Sequence, residues 1–174
     1  MMIRLLARDE IEQIWTIDRR EVVDNIYYLQ NGKLALKPDY FDIPGWPPGE
    51  AEQYMPRLYA CFDRGGVFYG AFDQQRLVGV VVVDSVLLGP QRDQLELKML
   101  HVSRDYRKHG LGVLLFEKAR EVARACGAKR LYISATPSEN TIHFYQRRGA
   151  IVTPYPDPEL LALEPDDIHL ECPV

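Results

Sequence analysis

Cysteine is scarce, with only Cys61, Cys126 and Cys172 in 174 residues. They are far apart, odd in number and form no C-x-x-C pair, which disfavours a disulfide framework or a zinc ribbon. Reduced thiols in a cytoplasmic protein are the simple expectation. His101, His109, His143 and His169 lack metal-ligand spacing, so no metal is expected. Long apolar runs are missing too. The longest strongly apolar stretch is Leu77–Val83, far short of a membrane span. Arg4, Arg8 and Asp9 interrupt the N-terminus, so no signal peptide is expected. Positive charge is not in excess: Lys+Arg is 21 against 25 Asp+Glu, a net charge of −4. A non-specific nucleic-acid binder needs a basic face, so that class is disfavoured, although a local basic patch stays open. Internal repeats and low-complexity tracts are absent.

What is present suits one domain, since 47% of the chain is apolar and a chain of this length buries roughly 70% of its unfolded surface. Ile11, Ile14, Trp15 and Ile17 recur at helical spacing, predicting a helix over 9–18 with Asp9 as its cap. Ile26–Leu29 suits a helix or a strand, and Asn31-Gly32 marks a turn. Residues 38–49 carry Pro38, Pro44, Pro47 and Pro48 among Tyr40, Phe41 and Trp46, which reads as a stiff loop. A helix from Glu50 to about Arg64 is ended by Gly65-Gly66. Strands are expected at 67–72, 77–83 and 95–102, close enough for an antiparallel meander. Apolar residues three and four apart from Leu111 to Cys126 make an amphipathic helix. A strand at 131–133, a helix opened by Pro137-Ser138-Glu139, and strands at 151–152 and 168–170 complete a mixed α/β (α+β) domain.

The run from Leu100 to Gly112 carries chemistry. A strand ends, the basic turn Arg107-Lys108-His109 follows, and Gly110 and Gly112 open a helix. A helix N-terminus has free N–H groups and partial positive charge, and glycine lets backbone approach a ligand closely. The inference is an anion site, most naturally for phosphate or pyrophosphate. It is neither a P-loop, which needs G-x-x-x-x-G-K-[ST], nor a dinucleotide fingerprint, where Leu115 replaces the third glycine.

Arg107-Lys108-His109-Gly110-Leu111-Gly112 resembles the [QR]-x-x-G-x-[GA] signature of the GNAT superfamily of N-acetyltransferases, and Leu100-His101-Val102 precedes it at the usual distance. Residues 140–149, with Phe144-Tyr145 and Gly149, resemble the family's second motif. The likeness covers roughly 67–152. It implies a sheet splayed between the family's fourth and fifth strands, with helices on both faces. It implies acetyl-CoA as donor, a primary amine as acceptor and no metal. The amides of Arg107, Lys108, His109, Gly110, Leu111 and Gly112 would hold the pyrophosphate. Backbone at Leu100, His101 and Val102 would pair with the pantetheine, and an N–H there would polarise the thioester carbonyl. Asn140 and Tyr145 would also face the cofactor. Ser138 stands where the family often has Asn, and Thr141 where it has Ala. Ser138 is therefore read as a helix cap.

Tyr145 matches the family's catalytic tyrosine and is the candidate acid for the leaving thiolate. Glu96 is the candidate base; the alternative is a solvent-facing residue paired with Lys98 or Arg92. His101 reads as a core or surface residue rather than a base. Residues 1–66 would form the acceptor side with its proline-aromatic lid, 67–152 the acetyl-CoA core, and 153–174 a C-terminal strand region. Asp18, Glu21, Asp24 and Asp42 could attract a cationic amine or form a solvated face. A small-molecule amine is the expected acceptor. A protein or peptide amine, or an acyl-CoA sensor without turnover, are the alternatives. A homodimer is compatible with the sequence.

Overall fold

A computed structural model describes residues 1–174. Its centre is a meander of three antiparallel strands, β4 (Val67–Asp73), β5 (Arg76–Leu88) and β6 (Gln94–Val102). The β5 run Val80–Val83 is buried throughout, because both faces of the sheet are covered. The full sheet has seven strands in the order β1-β4-β5-β6-β7-β9-β8, adding β1 (Met2–Leu5), β7 (Arg130–Ala135), β8 (Ile151–Val152) and β9 (Ile168–Pro173). Only β6 and β7 are parallel, joined by the crossover helix α2 (Leu111–Ala125). The remaining pairs are antiparallel, as the sequence suggested for the first half.

Helices lie on both faces. One core packs α2 and α3 (Glu139–Gln146) through Leu115, Phe116, Ala119 and Ile142 against Val81, Val83 and Leu131. The second packs a 3-10 helix (Arg8–Thr16) and α1 (Glu50–Asp63) through Ile11, Ile14 and Leu58 against Val80, Val82 and Met99. Outside the sheet, β2 (Glu21–Gln30) and β3 (Lys33–Ile43) form a two-stranded ribbon. It docks on the start of α3, where Tyr27 N–H donates to Pro137 O (2.8 Å) and Asn25 Nδ2 to Glu139 Oε2 (2.8 Å).

Several expectations are corrected. The helix over 9–18 is a 3-10 helix preceded by Ala7, with Asp9 inside its first turn. The stiff loop over 38–49 shrinks to 44–49, because β3 runs through Pro38 to Ile43. Pro38 sits beside a bulge in the ribbon, where a missing N–H is tolerated. Residues 26–29 are strand. Neither β1 nor the short helix α4 (Pro158–Leu163) was foreseen; Asp157 caps α4 by accepting from Glu159 N (3.0 Å) and Leu160 N (3.1 Å).

Candidate active site

The parallel pair β6/β7 is held at one end only. Its register covers Gln94–Glu96 against Arg130–Tyr132, after which the strands part. Arg130 pins the closed end by donating to Asp93 Oδ1 (2.8 Å) and Glu171 Oε1 (3.2 Å). Past Glu96, β6 keeps β5 as its only strand partner, so one edge of its backbone is open to the gap. The splay that the resemblance implied is therefore present. A β-bulge sits at its apex: Val83 pairs with Leu97 and Val82 with Met99, leaving Lys98 as the extra residue. The bulge re-aims the strand. Leu97 packs with the α2-side core, whereas Met99 packs with the α1-side core. The gap opens into a cleft of about 1600 Å³ whose walls come from β6, β7, α1, the α2 N-terminus, α3 and the C-terminal segment.

At one mouth of the cleft stands the turn before α2. Lys108 (φ 65°) and Gly110 (φ 84°) are left-handed, which bends successive amides toward one point. The amides of Lys108, His109, Gly110, Leu111 and Gly112 donate to no other group of the protein. These free donors at a helix N-terminus fit a pyrophosphate. Arg107 is different. Its amide already donates to Arg104 O (3.2 Å), and its guanidinium donates to Val102 O (2.9 Å), Arg20 O (3.0 Å) and Asp18 O (3.3 Å). His109 points to solvent and the Leu111 side chain lies in the core, so at those two positions only backbone faces the turn. Gly112 has a packing role as well: a Cβ there would meet the Phe144 ring at 3.3 Å.

Opposite the turn, α3 brings Tyr145 and Asn140 to the cleft. Tyr145 is buried between Phe116 and Phe144, with ring centroids 5.9 and 5.2 Å away. No hydrogen bond inside the protein uses its hydroxyl, and burial pushes the phenol above its ordinary value. Asn140 is exposed at the rim. Ser138 caps α3, its Oγ accepting from Thr141 N (3.4 Å), the role its position suggested.

Glu96 lies at the apex of the splay, facing the α1 side. Lys98 Nζ contacts its Oε2 (2.6 Å) and also Asp84 Oδ2 (3.3 Å). Arg64 Nε then donates to Asp84 Oδ1 (3.0 Å). The alternative partner Lys98 is thus real, but the group is not solvent-facing: Glu96 is half-buried in the cleft wall. Burial raises its carboxyl above the usual value, although Lys98 pulls the other way. Burial also opposes ionisation of Asp84, yet Arg64, Lys98 and the Ser85 amide hold it at about 2. His101 packs edge-on against Trp46, with centroids 4.8 Å apart. Burial, then the Arg19 and Arg107 charges, push its imidazole down to about 3, so it is neutral and not poised as a base at neutral pH.

The residues expected on the acceptor side are placed differently in detail from the sequence reading. Tyr40 and Phe41 lie exposed on the ribbon outside the cleft lining, and Trp46 alone of the three aromatics backs the site, behind His101. Of the four acidic residues singled out, Glu21 lines the cleft; Asp18 is paired with Arg20, and Asp24 and Asp42 are exposed. Carboxylates the sequence did not flag take their place: Glu50 on α1, and Glu164 and Asp167 after α4. Burial pushes Asp167 up to about 6. Lys98 was legible, since residues two apart on a strand share a face. Glu164 and Asp167 were not, because only the return of the chain through α4 brings them across.

A sheet splayed at one parallel junction, with free amides at its mouth and a cleft reaching its apex, defines the acyltransferase architecture. The chain belongs to the acetyltransferase (GNAT) family, whose sequence profile matches residues 34–150. It is an acyltransferase by that membership. Solved structures agree on the fold. Nourseothricin acetyltransferase superposes with a TM-score of 0.72 at 22% identity, covering 99% of this chain and 97% of that one. The PaiA N-acetyltransferase from Thermoplasma acidophilum, in complex with coenzyme A, gives 0.62 at 16% identity over 100% of both chains. The IAA acetyltransferase from Bacillus cereus ATCC 14579 gives 0.60 at 15% identity over 99% of both.

Proposed function

We propose that this protein transfers an acetyl group from acetyl-CoA to a primary amine of a small molecule, by direct attack within a ternary complex. The observation that carries this reading is the convergence, in one cleft, of a cradle of free amides, an open strand edge and an unpartnered phenol. The amides of Lys108 to Gly112 hold the donor pyrophosphate. The open edge of β6 from Leu100 to Val102 receives the pantetheine arm, and an N–H there polarises the thioester carbonyl. Asn140 borders the donor arm at the rim. The Arg107 guanidinium reaches away from the phosphates, to the carbonyls of Val102, Asp18 and Arg20.

The amine must present a lone pair, so it reacts neutral. Its nitrogen bonds to the thioester carbon while the carbon–sulfur bond breaks. Glu96, directly or through a water, takes the proton released by the nitrogen. Tyr145 gives its phenolic proton to the departing thiolate, whose basicity rises in the same desolvated cleft that raises the phenol. Residues 1–66 supply most of the acceptor side, 67–152 the donor side, and 153–174 the last strand plus Glu164 and Asp167. Glu164 and Asp167 suit an acceptor with a second, charged amine, whereas Glu50 is already paired with Arg19 (3.1 Å).

The test is thiol release from acetyl-CoA across pooled amino acids, polyamines, aminoglycosides, nourseothricin and lysine peptides, with mass detection of product. Release that depends on a small-molecule pool supports the reading. Turnover confined to peptides would overturn the acceptor class. Binding of acetyl-CoA without turnover in any pool would move the protein toward an acyl-CoA sensor.

A further inference from the structure

The segment Ile17–Arg20 joins the first 3-10 helix to the ribbon and forms part of the acceptor wall, with Arg19 and Glu21 facing the cleft. It is fastened to the donor side through backbone atoms. Asp18 N–H donates to Oγ of the buried Ser103 (3.0 Å), and Arg104 N–H donates to Asp18 O (3.0 Å). Both of these contacts come from residues before the turn that forms the cradle. Arg107 is the link from the turn itself. Its guanidinium spans Val102 O, Asp18 O and Arg20 O, and Glu21 lies 3.9 Å away. A planar fork of donors suits three carbonyls at once, which a lysine could not match. The next residue, Lys108, begins the run of free amides.

We propose that Arg107 is a positioning residue that carries occupancy of the amide cradle to the acceptor wall. The inference rests on reading Lys108–Gly112 as the donor cradle. An anion bound there fixes the turn, and with it the backbone from which Arg107 reaches. The three carbonyl bonds are then held in one geometry, and Asp18–Glu21 is set for the acceptor. Without the anion the turn keeps its freedom, and the wall shares it.

Amide hydrogen exchange with acetyl-CoA as the probe tests this without knowing the acceptor. In the parent protein, acetyl-CoA should slow exchange at 108–112 and also at Asp18 and Arg20, by about fivefold at the latter, the weight of roughly one net hydrogen bond. In Arg107→Gln the slowing at 108–112 should remain and that at Asp18 and Arg20 should vanish. Arg107→Lys, which keeps the charge but not the fork, should behave like the Gln variant; it also serves if Arg107→Gln does not fold. A merely structural arginine would raise exchange everywhere but leave the ligand-dependent difference intact. Slowing at Asp18 and Arg20 that persists in both variants, or is absent in the parent while 108–112 respond, overturns the proposal. No response at 108–112 in the parent would instead overturn the donor-cradle reading on which it rests.

Discussion

Tyr145 and Glu96 face the same cleft, and their surroundings suit the opposite proton movements proposed for them. Tyr145 sits among Phe116, Phe144 and apolar core, with no protein partner for its hydroxyl, so it keeps its proton at neutral pH and has it free to give. Tyr145→Phe should lower kcat by at least about 100-fold, the usual scale for a lost general acid, with acetyl-CoA affinity nearly unchanged. An unchanged kcat in steady-state assays would remove the role. Glu96 must be ionised to accept a proton, and burial has raised its carboxyl. The acid limb of kcat/KM should therefore lie above the ordinary glutamate range and disappear in Glu96→Gln. Lys98 opposes that rise, so Lys98→Met should move the limb to still higher pH. A Glu96→Gln profile that matches the parent would leave deprotonation to a chain of waters.

The turn and helix that form the cradle show how far an element can be read from its residues. Gly110 was read as a place where backbone approaches a ligand; the structure adds a left-handed backbone, φ 84°, with open space where a Cβ would go. Gly110→Ala therefore meets no clash, only backbone strain of about 1 kcal/mol. Thermal denaturation should show a fall of roughly 2–4 °C. Acetyl-CoA binding should weaken as the turn relaxes, and calorimetric titration that finds the parent affinity would speak against the cradle. Gly112 was legible as a close approach, and the group that approaches in the structure is the Phe144 ring. The side-chain partners of Arg107 were not legible for a physical reason: two of the three are carbonyls 87 and 89 residues earlier in the chain, and a carbonyl carries no sequence signal. Strand β1 was hidden because four residues containing Arg4 make a poor apolar pattern, and β3 because Pro38 looks like a break until its bulge is seen.

At the scale of the molecule, the meander and the α2 crossover were legible because period-two and period-3.6 patterns are strong there. The joining of two cores through one sheet was not, since it depends on which face each strand residue takes after the β6 bulge. His101 lies just beyond that bulge, on the α1 face against Trp46, and its partial burial in the cleft wall has a consequence for the whole fold. Its imidazole titrates near 6.5 when unfolded but only at about 3 when folded. The unfolded chain thus binds the proton more readily, and stability present above about pH 6.5 is lost as the pH falls toward 3. At pH 5 the loss is about 2 kcal/mol. Asp167 acts in the opposite sense. Its carboxyl, raised to about 6, costs stability at neutral pH and returns it as the pH falls through 6. The two effects partly cancel in the parent, so the comparison must be with His101→Phe, which keeps an aromatic ring beside Trp46 and leaves Asp167 as it is. Between pH 7.5 and pH 5 the variant should gain on the parent by roughly 4–8 °C in Tm. A gap that does not change with pH would mean that His101 is protonated, or reached by water, in the folded protein.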